Sequence, residues 1–383
     1  MFRKYLFLII LPVCLLPFWS AAQVRSYQTT INIRVPVAPV VVNIGGKRSV
    51  YYELHLTNFA KDTLEIGSLT VLNAADSSVI GKWDEDGLRQ NFATVGVPSK
   101  GGVSLLPPGI SGVIFLDFEL PGNGKARILT HRLKLNSLKN NQKTAVVVTG
   151  AATDVIDKPV AVLGPPLAAG PWAAVYNPLW ATGHRRVFYT VDGTARLPGR
   201  FAIDFIKLDS AGKLAAGDEN VIANWHGYAA DVLAVNDGVV ASVRNDAAES
   251  PTLSAYVPAS PENATGNYIS LKIADKQYVF YEHLKPGSIR VKPGQKVSKG
   301  QVIASLGFTG QTTGPHLHLH LADKDSPLGA EGLPFEFEKY RLLGGYTDFS
   351  NFGKTLWIPA EKQNTNNIQP DRPAPNSVIE FGK

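Results

Sequence analysis

The sequence predicts an all-β protein in two parts, a β-sandwich followed by a second antiparallel β domain. Three observations carry this reading. Over residues 23–165, short β-rich runs alternate with turn signals at the spacing of a sandwich. Beyond a Gly/Pro-rich stretch at 162–171 the chain is again dominated by strand patterns. Helical periodicity is almost absent throughout. The 383 residues, 44% hydrophobic and 18% charged, suffice for two cores, and that balance excludes a disordered chain and a polytopic membrane protein.

The first element reads as a leader. Arg3 and Lys4 precede an apolar run that ends in Ser20, Ala21 and Ala22, the pattern of a secretory signal peptide spanning 1–22. The run is short and interrupted by Pro12 and Pro17, which argues against a stable membrane span once the leader is cut. Export to the periplasm or the exterior follows. The single Cys and the single Met of the chain, Cys14 and Met1, leave with the leader. The mature chain therefore has no disulfide, no catalytic thiol and no thiolate metal ligand. Its net charge drops by two from +6, a mild positive balance that does not identify a partner.

Residues 23–165 form the next unit. Runs such as Ile31 to Val35, Val50 to Leu56, Leu64 to Val71 and His131 to Leu135 read as strands. In the run from Gly112 to Leu120, alternation places Ile114, Leu116, Phe118 and Leu120 on an apolar core face, and Val113, Phe115, Asp117 and Glu119 on the other. Pro107-Pro108-Gly109 and Pro121-Gly122 bracket it as turns. The unit reads as an immunoglobulin-like β-sandwich. His55 and His131 lie singly within its strand patterns and read as structural. The second unit spans 172–345, and residues 346–383 form an extension whose Pro/Asn-rich part, 363–375, is expected to be mobile.

Chemistry concentrates in the second unit, where His316, His318 and His320 alternate with Leu317, Leu319 and Leu321. Side chains two apart on a strand share a face and lie about 6.6 Å apart, a distance from which imidazoles can converge on one ion. With no thiolate available, zinc is the candidate: one Zn2+ per chain, held by nitrogen and oxygen. A solvated polar strand face is the plainer reading of the same pattern.

Four segments in order resemble the lysostaphin-type (LytM-like) zinc metalloendopeptidases, hydrolases of peptidoglycan. These are the strand pair from Asp231 to Val240, the Tyr281-Glu282-His283-Leu284 run, the hairpin from Val291 to Gly300, and the closing segment from Gly300 to His318. The resemblance covers about residues 200–322. It implies a barrel-sandwich peptidase fold built on a duplicated hybrid motif, with His318 and Asp204 as zinc ligands. It also implies that His283 and His316 flank the water, one polarising it and one stabilising the oxyanion. Peptidoglycan, or its peptides, would be the substrate.

The resemblance fails at one position: Arg200 stands where the family has its first ligand histidine, and a guanidinium has no free lone pair for a metal. Its charge is expected to pair with Asp204 in the metal's place. His184, His226 or His320 would have to supply the third ligand. Otherwise the domain is a degenerate peptidase fold that binds cell wall or activates another hydrolase. Retention of Asp204, His283, His316 and His318 favours the working site, since a surface that only binds has no chemical need of all four. A second departure is the length between Asp204 and the next motif, residues 207–227, in which Trp225 is a candidate stacking surface of the substrate groove. A Pro/Ala/Ser-rich stretch at 246–265 is placed as a wall of that groove.

Other classes are excluded by what is missing. There is no Gly-x-Ser-x-Gly elbow and no phosphate-cradling loop, and nothing suggests a nucleic-acid partner. Oligomeric state is not specified by any feature of the sequence.

Overall fold

The computed structural model describes residues 30–95, 104–121, 127–140, 142–361 and 370–382. The predicted leader lies outside them. Among them strands predominate, with one α-helix, Glu85–Asn91. That helix is capped by Asp84, whose Oδ1 accepts a hydrogen bond from the Gly87 N–H at 3.0 Å. No helix of the described residues is long and apolar enough to cross a membrane.

The first half consists of two five-stranded antiparallel sheets. Strands Lys47–Asn58 and Ser111–Glu119 lie side by side in one, and Thr63–Asn73 and Ile128–Lys139 in the other. Alternation decides what lies between the sheets. Tyr52, Leu54, Leu56, Ile114 and Leu116 meet Ile66, Leu69, Val71, Leu133 and Leu135 in one buried cluster. The expected core face of the Ser111–Glu119 strand is therefore inside, but its other face is covered too. Val113 and Phe115 are each only 2% exposed, packed against Phe188 and Leu197 from the second half of the chain. Sequence alternation cannot anticipate this, because the cover comes from outside the sandwich.

The two halves are joined by more than the linker. Ala161–Leu163 pairs in parallel with Phe335–Phe337. Tyr51 of the sandwich stacks on Phe201 at 5.7 Å, and Val42, Ile44 and Tyr51 belong to the main apolar cluster of the second half.

The second half is organised on an eleven-stranded sheet whose strand order follows an open path, in keeping with the all-β expectation. At its centre Leu317–Ala322 lies between Gln277–Leu284 and Ile203–Lys207. The tail departs from expectation as well. Residues 362–369 lie outside the description, but Asp371 and Arg372 are fully buried, and Ser377–Glu380 inserts between Trp172–Val175 and Arg341–Gly345. The polar composition of 363–375 concealed this, because Arg372 is buried by stacking over Tyr176 at 4.5 Å and donating to Ala202 O.

His131 is fully buried in the sandwich. It accepts from Tyr52 Oη at Nε2, 2.9 Å away, and donates from Nδ1 to Ala151 O at 3.0 Å. Burial pushes its pKa down to about 4 against the opposing pull of the Ala151 and Gly150 carbonyls. An unfolded chain takes up a proton here as pH falls through the ordinary histidine range, while the folded chain resists until about pH 4. Stability is thus complete above the ordinary histidine pKa and declines below it, by up to about 3 kcal/mol. Denaturant titrations at neutral and mildly acidic pH should show a steeper loss for wild type than for His131→Gln; equal losses would contradict this account.

Candidate metal centre

Register builds the site. Asp204 lies opposite His318 across one strand pair, and Glu282 lies opposite His318 across the other. His318 Nδ1 donates to Asp204 Oδ1 at 2.8 Å. His283 follows Glu282 and in a regular strand would face away from it. Its φ of +61° breaks the alternation, and its ring comes within 4.7 Å of His316 and 5.8 Å of His318, centroid to centroid. A donated hydrogen bond from His283 Nδ1 to Thr309 O, 2.8 Å, fixes that ring and leaves Nε2 without a proton. His316 is fixed similarly, with Nδ1 2.8 Å from Gly314 O and Nε2 3.4 Å from Asp204 Oδ1.

The third group on Asp204 is His184. It begins a 3-10 turn, His184–Arg186, at a φ of +40°, and its Nε2 donates to Asp204 Oδ2 at 3.0 Å. The turn lies against Pro198–Phe201 so closely that a Cβ on Gly199 would stand 2.9 Å from the His184 backbone. His184, Asp204 and His318 have donor atoms mutually within 4.8 Å, and so do His283, His316 and His318.

The other candidates fall elsewhere. His226 points to Asp209, 3.8 Å away, and joins neither of these groups. His320 is buried flat against Phe280, with ring centroids 4.9 Å apart, and forms a separate group with Glu282 and His318. Arg200 does not pair with Asp204 as expected. Its guanidinium turns the other way, donating from Nε to Glu53 Oε2 at 2.8 Å and from Nη1 to Gly332 O at 3.1 Å, with Nη2 2.9 Å from Glu331 Oε2. Trp225 is not a stacking surface either. It is buried, its Nε1 donates to Glu219 O, and its ring fills the space a Cβ on Gly314 would take. Elsewhere in that insertion Leu214 packs among Phe349, Phe352 and Trp357, while Val221 pairs with Thr252 of the 246–265 stretch. The 246–265 stretch does border the site: Tyr256 Oη donates to Gly310 O and accepts from Thr312 N, beside His316.

Burial dominates the electrostatics and is opposed by specific contacts. It pushes the Asp204 carboxyl up, but His184 and His316 hold it well below the carboxylate range. His283 is driven well below the usual imidazole range by burial and by neighbouring His316 and His318. His316 is raised, because Asp204 outweighs its burial. Glu282 is raised well above the carboxylate range by burial and then by Asp204. Sequence order gives Glu282 no role, since only cross-strand register brings it to His318.

The donor set fits zinc. It offers two imidazole nitrogens and a carboxylate, all on strands or a tight turn, with separations of 2.8 and 3.0 Å close to the edge of about 3.3 Å expected of a tetrahedral zinc site.

Residues 225–329 match peptidase family M23. This stretch contains His283, His316 and His318 but neither Asp204 nor His184. Peptidoglycan DD-endopeptidase ShyA of Vibrio cholerae is 45% identical over 65 residues, 17% of this chain and 15% of ShyA. ShyB of the same organism is 42% identical over 65 residues, with the same two shares. The match thus spans a small part of these relatives. The catalytic domain of lysostaphin from Staphylococcus simulans is 21% identical, covering 43% of this chain and 88% of that one at a TM-score of 0.22, a likeness too partial to bear on the assignment.

Substituting Gly199→Ala should push the His184 turn outward at a cost of about 1–3 kcal/mol. Loss of the His184 imidazole signal from its wild-type position in NMR of the folded variant would show the displacement; an unchanged signal would refute the close-packing account.

Proposed function

We propose that the chain is an exported, zinc-dependent endopeptidase that hydrolyses peptide bonds in peptidoglycan, with His184, Asp204 and His318 holding the metal. The observation that carries the reading is His184 Nε2 against Asp204, which replaces the ligand that Arg200 removes. Three protein ligands with an open position are what a catalytic zinc site requires. The names of the V. cholerae relatives support peptidoglycan as the substrate. The division into a sandwich at 23–165, a peptidase domain at 172–345 and a closing extension belongs to the same proposal.

When bound, zinc supplies Lewis acidity, polarising a scissile carbonyl and acidifying water. The protein's own groups divide the remaining work. His316 and His283 each present an Nε2 towards the ligand cluster while their Nδ1 atoms are fixed by backbone carbonyls. One takes the proton of the attacking water and the other steadies the negative charge on the former carbonyl oxygen. Strain at His283 keeps its ring pointing inward, and the 246–265 stretch limits access to one side.

Metal analysis and muropeptide digestion of the full chain test this. About one zinc per chain is expected, lost in His184→Ala and His318→Ala and retained in His226→Ala and His320→Ala. His316→Ala and His283→Ala should keep the metal and lose about 100- to 10,000-fold in turnover. A wild-type chain that neither binds zinc nor releases peptide products would overturn the proposal and favour the degenerate, wall-binding reading. Arg200→His should create no ligand, because the side chain faces Glu53. It should instead destabilise the chain by about 3–5 kcal/mol, measured by denaturation, as one partner of a buried ion pair is removed.

A further inference from the structure

We infer that the sandwich completes the metal site: Glu53, acting through Arg185 and Arg200, is a positioning residue for His184. This rests on the zinc reading above.

Glu53 is 2% exposed and sits in the middle of strand Lys47–Asn58 on the sandwich. Its Oε1 accepts from Arg185 Nη2 at 3.1 Å, and its Oε2 accepts from Arg200 Nε at 2.8 Å. Arg185 follows His184 directly in the same 3-10 turn, and Arg200 lies in the turn that backs it. The anchoring extends beyond the carboxylate. Arg185 Nη2 also reaches Tyr52 O and Leu116 O, each 3.1 Å away, so the guanidinium lies against carbonyls of both central strands of the sandwich sheet. Arg186 lies over the Phe115 ring at 4.2 Å and donates to Gln90 O at 2.8 Å. On its other side Arg200 reaches Gly332 O, and Gly332 pairs with Ala322 at the end of the strand that bears His318. One sandwich carboxylate therefore fixes the His184 turn relative to the His318 strand.

Within the turn His184 has one side-chain hydrogen bond among the described residues, to Asp204, and its ring meets His318 edge-on with centroids 5.3 Å apart. Its Nδ1 is buried without a hydrogen-bond partner among the described residues. A ligand histidine is normally oriented by a partner on its second nitrogen. Here no partner holds the second nitrogen, so the backbone of the turn sets where the ring meets Asp204 and His318, and that backbone is held by the sandwich. The sandwich is thus neither a spacer nor a separable module; removing its grip releases a metal ligand.

The test uses the full chain and compares Glu53→Gln and Arg185→Met with wild type, with His184→Ala as the reference for a missing ligand. Leu69→Ala, a core truncation in the far sheet, serves as the control for general loss of sandwich stability. Zinc affinity, by competition with a chelator, should fall about ten- to a hundred-fold in Glu53→Gln and Arg185→Met. Leu69→Ala should lower the melting temperature and leave affinity unchanged. With cobalt in place of zinc, the visible bands of Glu53→Gln should move to those of His184→Ala. In metal-free protein the His184 imidazole signals should leave their wild-type positions in both variants. A folded Glu53→Gln or Arg185→Met with wild-type zinc affinity and unchanged His184 signals would overturn the inference. If wild type binds no zinc the peptidase reading fails, while the metal-free His184 signals still decide whether Glu53 positions that ring. Should Glu53→Gln fail to fold, Arg185→Met, which leaves the Arg200–Glu53 pair intact, carries the test.

Discussion

A carboxylate buried between two guanidiniums governs how the halves of this protein meet. Burial alone would push the Glu53 carboxyl up, but Arg200 and Arg185 hold it below the usual carboxylate range. Arg200 in turn is raised, its own burial outweighed by Glu53 and Glu331. Such pairs are a poor source of net stability, because the desolvation of each charge offsets most of the attraction. Their effect is on geometry. Three charges that are each unfavourable alone are tolerable in one arrangement, and the planar, forked donors of arginine make that arrangement directional. Apolar contacts around them, Tyr51 on Phe201 and Val113 and Phe115 on Phe188 and Leu197, supply the non-directional part of the attachment.

The metal-binding cluster follows the same logic with the signs reversed. Asp204 is one buried carboxylate among three imidazoles, those of His184, His316 and His318. Burial pushes His283 and His318 down, while Asp204 raises His316, so the cluster sets two rings that favour the neutral form beside one negative charge. That is an arrangement suited to a divalent cation, whose charge complements Asp204 while the neutral rings coordinate. His320 and Glu282 extend the cluster inward. His320 nitrogens and Glu282 Oε1 have no hydrogen-bond partner among the described residues, and both groups are held in their uncharged forms, chiefly by burial.

Much of this was legible in sequence. Strand alternation identified the faces that carry His316, His318 and His320, and motif order identified the peptidase segment, because both depend on near neighbours. Relations set by distant register were not legible. Glu282 meets His318 only because two strands pair without offset, and Glu53 meets Arg200 across 147 positions. The reading of Trp225 as a stacking surface failed for a local reason. Gly314 leaves room for its ring, and the indole N–H finds a backbone carbonyl, so burial satisfies both of its preferences. The tail failed for a compositional one, since polar residues are read as mobile unless the partners that bury them are known, as Tyr176 and Ala202 do for Arg372.

Position 200 and position 184 are best understood together. An arginine at 200 cannot ligate a metal, yet its guanidinium balances a buried carboxylate that would otherwise be stranded in the interface. A histidine at 184 reaches Asp204 from a turn that lies flush on Gly199 and that Arg185 ties to Glu53. Under the proposed site, a ligand at 184 leaves position 200 to the attachment, and the attachment holds the turn that bears it. Neither change is useful alone: histidine at 184 without the clamp sits on an unsupported turn, and arginine at 200 without histidine at 184 leaves Asp204 and His318 one donor short. On the proposed reading, the departure at position 200 and the histidine at 184 are one structural exchange, which ties the candidate metal site to the neighbouring sandwich.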